Sequence, residues 1–161
     1  MVSVRIVSSF TPTYADVVWP ALVLEKRLLS VLPITTGLIV EWLALWFGGF
    51  GLSWKRAAVV NVVMNAVSTA AGIVLIPALG LVWEFLPGQV VHRVFDVGTF
   101  NPITWIATFV LAVLATTAIE ASVVRWGFKV GLTGRRLCIL CGANCASVSV
   151  AFVSIGMHAP R

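Results

Sequence analysis

Read for hydrophobic and polar positions, the chain falls into four long apolar runs, residues 29 to 48, 57 to 82, 102 to 124 and 137 to 157. A helix rises about 1.5 Å per residue, so runs of this length suit a hydrocarbon layer about 30 Å thick. The break between the first two runs reads GGFGLSWKR and that between the last two reads RWGFKVGLTGRR. Both are short enough to force antiparallel hairpins. The pattern predicts an all-α integral membrane protein of four transmembrane helices, arranged as two repeated antiparallel hairpins in a single membrane domain over residues 1–161.

Two stretches have a different pattern. Residues 13 to 30 mix Val17, Val18, Trp19, Leu22 and Leu28 with Asp16, Glu25, Lys26 and Arg27, and the connection PGQVVHRVFDVG groups Val90, Val91, Val94 and Phe95 at helical spacing. Apolar residues gathered on one face beside charges on the other suit helices lying in the membrane interface. Residues 1–28 are therefore expected to form an interfacial segment before the first span. Residues 83–101 are expected to form an interfacial helix, or an ordered loop, between the second span and the third.

Shifted by 79 positions, EWLALWFGGFGLSWKRAAVVNVVMNAVS (41 to 68) falls without a gap on EASVVRWGFKVGLTGRRLCILCGANCAS (120 to 147). Only five of the 28 positions are identical, but they pair Glu41 with Glu120, Gly48 with Gly127, Arg56 with Arg135, Asn65 with Asn144 and Ser68 with Ser147. The whole chain has four Glu and four Asn, so polar residues matched inside apolar runs argue for a duplication, with halves at about 29–82 and 102–157. Two spans per copy give both copies the same orientation, as in parallel repeats.

Glu41 and Asn65 are each 12 residues from Ser53, and Glu120 and Asn144 are each 12 from Leu132. Equal distances from a hairpin tip place each Glu level with its Asn, roughly 10 to 13 Å inside the hydrocarbon. Asn61, Asn65, Ser68 and Gly72 share one helical face, and Asn144, Ser147 and Ala151 share the matching one. Small and hydrogen-bonding residues mark close helix contacts in membranes. The expected centre is a polar layer of Glu41, Asn65, Glu120 and Asn144, supported by Ser68 and Ser147. Its carboxyls are expected to be neutral acids hydrogen-bonded to the carboxamides. Arg56 and Arg135 are expected either to bend inward to those carboxyls or to snorkel outward to lipid phosphates.

Composition agrees with the pattern: 60% of residues are hydrophobic and 11% charged, with mean hydropathy +1.03, against about 25% charged in soluble domains. The net charge of +5 therefore orients helices rather than marking a nucleic-acid partner, and no basic stripe with interleaved aromatics lies outside the runs. Six basic residues flank the two hairpin links and five lie on the other side. That bias predicts cytoplasmic links and both termini outside, in a bacterial inner membrane. Seven Trp suit an interfacial belt. The N-terminus lacks a continuous apolar segment and a small-residue cleavage site, so the first span is expected to serve as its own insertion signal.

Cys138, Cys141 and Cys145 follow i, i+3, i+7 spacing, and thiolates so placed could hold Cu(I) or another soft metal. Their counterparts one repeat earlier are Val59, Val62 and Ala66, which favours small, soft packing residues and no metal. His92 and Asp96, four apart, read as a solvated face that could share a proton or a metal. No Ser/His or HExxH-type set appears, so neither an enzyme nor a cofactor is expected. The leading expectation is a protein acting by helix association, an accessory or assembly subunit of a larger bacterial membrane complex, with lipids and other membrane subunits or itself as partners. The alternative is a small proton- or cation-linked transporter or channel using the Glu/Asn layer. Against that functional use, the plainer expectation for the layer is structural, each Glu–Asn bond holding its hairpin together at about 0.6 to 2 kcal/mol.

Overall fold

The structure, a computed structural model, describes residues 31–96 and 101–157 together with Leu24, Leu28 and Leu29, with side chains through Val153. The rest of the expected N-terminal interfacial segment, Trp19 included, lies outside the described residues. Among the described residues from Val31 onward, five α-helices follow in order: α1 (Val31–Phe47), α2 (Trp54–Trp83), α3 (Gln89–Phe95), α4 (Pro102–Ser122) and α5 (Gly134–Met157). A π-helical turn, Glu84–Gly88, joins α2 to α3, and a second, Val123–Gly127, extends α4.

Among the described residues, three helical stretches are long and apolar enough to cross a membrane: Trp54–Phe95, Pro102–Gly127 and Gly134–Val153. Helix α1 is equally apolar but has 17 residues, about 26 Å of rise, a little short of the hydrocarbon thickness.

Helix ends follow local chemistry. The Ser53 hydroxyl accepts a hydrogen bond from Arg56 N at 3.4 Å, so α2 begins three residues ahead of the apolar run itself. Thr133 caps α5 in the same way through Arg136 N at 3.4 Å. Asn101 Oδ1 accepts from Thr104 N at 2.9 Å, and Pro102, which has no N–H to leave unpaired, opens α4. The α1–α2 link turns on Gly49 and Gly51, whose φ angles of +78° and +72° are accessible mainly to glycine.

Within the connection at 83–101 a short helix does form, but it is continuous with the one before it. Instead of ending at residue 82 and restarting on the interface, α2 runs through the π turn into α3, a rod of 42 residues. The wider turn takes in Pro87, which lacks the N–H an α-helical ladder needs, without ending the helix. The rod stops at Asp96, in the left-handed conformation at φ +49°.

Packing crosses between the two helix pairs. Helix α1 lies mainly on α5 and α2 mainly on α4, while α1 touches its own neighbour α2 less extensively. Two apolar clusters result. One, toward the links, includes Leu45, Phe50, Leu52, Met64, Val124 and Leu140. The other includes Leu24, Ala112, Val113, Val148 and Ala151. By chain position, the polar residues of the spans fall between them.

Among the described contacts neither link arginine reaches the buried carboxyls, and both are exposed. Arg56 Nη2 donates to Phe128 O, in the other link, at 3.3 Å. The reciprocal bridge comes from Arg136, not Arg135: its Nε and Nη2 donate to Gly49 O at 3.0 and 2.6 Å, and its Nη1 to Gly131 O. Arg135 is exposed. The physical reason is a difference in register. Thirteen residues separate Glu120 from the Thr133 cap and eleven separate that cap from Asn144, against twelve and twelve in the first pair. The π turn at Val123–Gly127 takes up the extra residue before the cap.

Candidate functional site

The site grows from two carboxyl side chains that α1 and α4 carry into the interior. Glu41 and Glu120 are 2% and 1% exposed. Asn65 Nδ2, on α2, donates to Glu41 Oε2. Asn144 Nδ2, on α5, donates to Glu120 Oε2 at 2.6 Å. The other oxygen of each carboxyl reaches across to the opposite pair: Ser147 Oγ lies 3.4 Å from Glu41 Oε1, and Ser68 Oγ lies 3.2 Å from Glu120 Oε1. Both carboxyls thus have the same surroundings, one carboxamide from the adjoining helix and one hydroxyl from the other pair.

The remaining bonds hold these groups in place. Asn65 Nδ2 also meets Asn61 O and Asn61 Oδ1, both at 3.0 Å, and Asn61 Nδ2 donates to Leu38 O on α1 at 2.7 Å. Asn144 Nδ2 also donates to Leu140 O at 3.2 Å. Gly37 lets α1 and α5 approach closely, since a Cβ there would lie 3.1 Å from Ser147 Cβ. In a medium without water each such group needs an internal partner, and this layer supplies them.

A cavity of about 510 Å³ ends on this layer, with Glu41, Asn65, Ser68, Glu120, Asn144 and Ser147 all in its wall. Most of the remaining lining is aliphatic, and among the described residues no Lys, Arg or His lines it. It opens between α1 and α2, where its lining residues Ile34, Val62, Ala66 and Ile73 are exposed. The looser contact between α1 and α2 leaves this slot.

A further buried carboxyl lies at the π turn. Glu84, within the 83–101 stretch expected to lie at the interface, is 2% exposed. Its Oε1 lies 2.6 Å from His92 Nε2, while Asp96 is exposed at the end of the rod. Gly88 makes room for the carboxyl, because a Cβ there would fall 3.0 Å from Glu84 Oε2. Glu84, Gly88 and His92 recur every fourth residue, a signal that becomes visible once the helix is allowed to pass Pro87.

The three sulfurs do not converge. Cys138 is exposed, while Cys141 and Cys145 are half-buried beside the second apolar cluster. Among the described residues no group of three His, Cys, Asp or Glu is placed to hold a metal ion.

Reasoning in a single register missed Arg136. The signal was present: shifted by 80 instead of 79, the tips read GLSWKR over GLTGRR, which pairs Ser53 with Thr133 and Arg56 with Arg136. Comparison with protein-family models, with curated proteins and with solved structures found no match.

Proposed function

We propose that the chain is a small membrane transporter or channel in which two related antiparallel helix pairs, with α1 as a fourth span, flank a central proton- or cation-binding layer. The observation that carries this reading is the cavity ending on both carboxyls, Glu41 and Glu120. Purely structural bonds between helices need no such opening. Each carboxyl buried in a span is costly and by default functional, and each can exchange a proton for a cation without any other acid or base. The similar surroundings of the two carboxyls support a duplicated origin, with the one-residue register difference absorbed in the π turn. The charge bias favours links on the cytoplasmic side of a bacterial inner membrane.

Reconstituted into liposomes, the chain is expected to carry H⁺ or a monovalent cation, inorganic or organic, down an imposed gradient. Glu41→Gln combined with Glu120→Gln should lower that flux by about tenfold or more, the scale on which removing a charged binding partner acts. Flux equal to empty liposomes in the parent, or unchanged flux in the double variant, would remove this reading.

A second reading, an accessory subunit acting by helix association, is favoured by the outward face of α5. There Cys138, Gly142 and Ser149 are exposed, and a Cβ at Gly142 would meet nothing. Small residues on a lipid-facing helix allow another helix to approach. Purification from native membranes in mild detergent would then bring a second membrane protein along in fixed ratio. A lone monomer would count against it.

A further inference from the structure

We infer that the ligand of the central layer is an organic ammonium, a positively charged nitrogen bearing N–H groups on a bulky apolar body, which arrives from the lipid through the slot between α1 and α2. This rests on the transport reading above and names its substrate class.

The polar end of the cavity fixes the charge and the hydrogen-bonding sense. The buried donors there are already committed. The Asn65 amide is held by Glu41 and Asn61, the Asn144 amide by Glu120 and Leu140 O, and the Ser68 and Ser147 hydroxyls by carboxyl and backbone oxygens. Thr116, also in the wall, donates to Ala112 O at 2.9 Å. Acceptor capacity remains, because each ionised carboxylate oxygen can take two hydrogen bonds and each has one protein donor. With no Lys, Arg or His among the described residues of the lining, the complement these acceptors call for is a cation that donates hydrogen bonds.

Size and lining favour a larger organic cation over a bare ion. A dehydrated Na⁺ or K⁺ needs a compact shell of oxygens. A cavity of about 510 Å³ falls instead within the range of pockets for drug-sized organic molecules. Beyond the layer its wall is aliphatic, supplied by Leu38, Ile73 and Ile76 among others, which suits a hydrocarbon or aromatic body. The mouth is a lateral slot bordered by Ile34, Val62 and Ile73, which are 42%, 60% and 49% exposed. In a membrane such side chains face acyl tails, so an amphiphile dissolved in the bilayer meets the slot directly.

The test uses the full chain in phosphatidylcholine nanodiscs, with tritiated 4-phenylbutylammonium as probe and 4-phenylbutanol as its uncharged counterpart. Saturable binding of the amine is expected, about tenfold or more tighter than the alcohol. Binding should be lost in the combined Glu41→Gln and Glu120→Gln variant. Ala66→Phe, which narrows the slot from an exposed position away from the buried layer, should weaken amine binding several-fold in a chain that still folds. Equal binding of amine and alcohol, or no effect of Ala66→Phe, overturns the inference. Absence of amine binding alongside glutamate-dependent Na⁺ or H⁺ flux in liposomes overturns the substrate class and leaves the transport reading in place. Absence of both removes the two together.

Discussion

Alanine in place of Gly48 is expected to destabilise the folded chain by about 2 kcal/mol or more, whereas alanine at Gly127 should change stability by less than about 0.5 kcal/mol. The two glycines occupy matching places in the ungapped sequence comparison but sit in different surroundings. A Cβ on Gly48 would lie 2.2 Å from Ala44 O, 3.0 Å from Ile139 Cγ2 and 3.1 Å from Phe50 Cε2. The first of these is backbone, fixed by the 2.8 Å bond from Gly48 N that closes the last turn of α1. It cannot retreat without opening that turn, and Phe50 belongs to the apolar cluster near the links. At Gly127 the nearest atom to an added Cβ is Val123 Cγ1 at 3.8 Å, an ordinary contact, and alanine gains helix propensity in return. Unfolding by steric trapping in bicelles would read the difference. Similar losses at both positions would show that the closed turn after α1 is not as rigid as the distances imply.

Valine at Gly37 is expected to lower stability by about 1 to 3 kcal/mol and to reduce ligand access to the central layer. Here α1 and α5 meet with almost no spacer: the added Cβ would sit 3.1 Å from Ser147 Cβ and 3.6 Å from Glu41 Oε1. The helices must separate by a few tenths of an ångström, which lengthens the contact of 3.4 Å between Ser147 Oγ and Glu41 Oε1. The two γ-carbons of valine then have only the carboxyl or the cavity to occupy, since Gly37 is part of the cavity wall. Gly72→Ala is the control. It is also buried and lines the same cavity, yet its nearest neighbour would be Ile76 Cδ1 at 3.5 Å. The same bicelle unfolding measurement separates the two, and equal stability for both variants would sink the close-approach argument.

The sequence made the polar residues of the centre legible because hydrocarbon tolerates few of them. Glu41, Asn65, Glu120 and Asn144 stood out against apolar runs, and their distances from the tips placed each Glu level with an Asn. The serine contacts across to the other pair were harder to read. Ser68 and Ser147 lie on the right faces, but nothing within one pair states which helix of the other will pack there. The cavity was not legible at all, because it arises where α1 leans on α5 and leaves α2. Glu84 was hidden for a local reason. Pro87 signals a helix end, and only the wider π turn lets the helix continue and carry Glu84 and His92 onto one face. The arginine that answers Arg56 across the links is Arg136, one position past its gapless counterpart, because a gapless comparison cannot see an extra residue wound into Val123–Gly127.

The reciprocal ties between the two helix pairs have a kinetic corollary. Ser147 with Glu41 and Ser68 with Glu120 fasten the interior, while Arg56 on Phe128 O and Arg136 on Gly49 O fasten the rim. Parting the pairs stretches all four fastenings in the same direction, so none offers an easy first step. The molecule should therefore pass between clasped and unclasped forms as one concerted event with a single barrier, and a titrant that loosens either glutamate will be sensed by both.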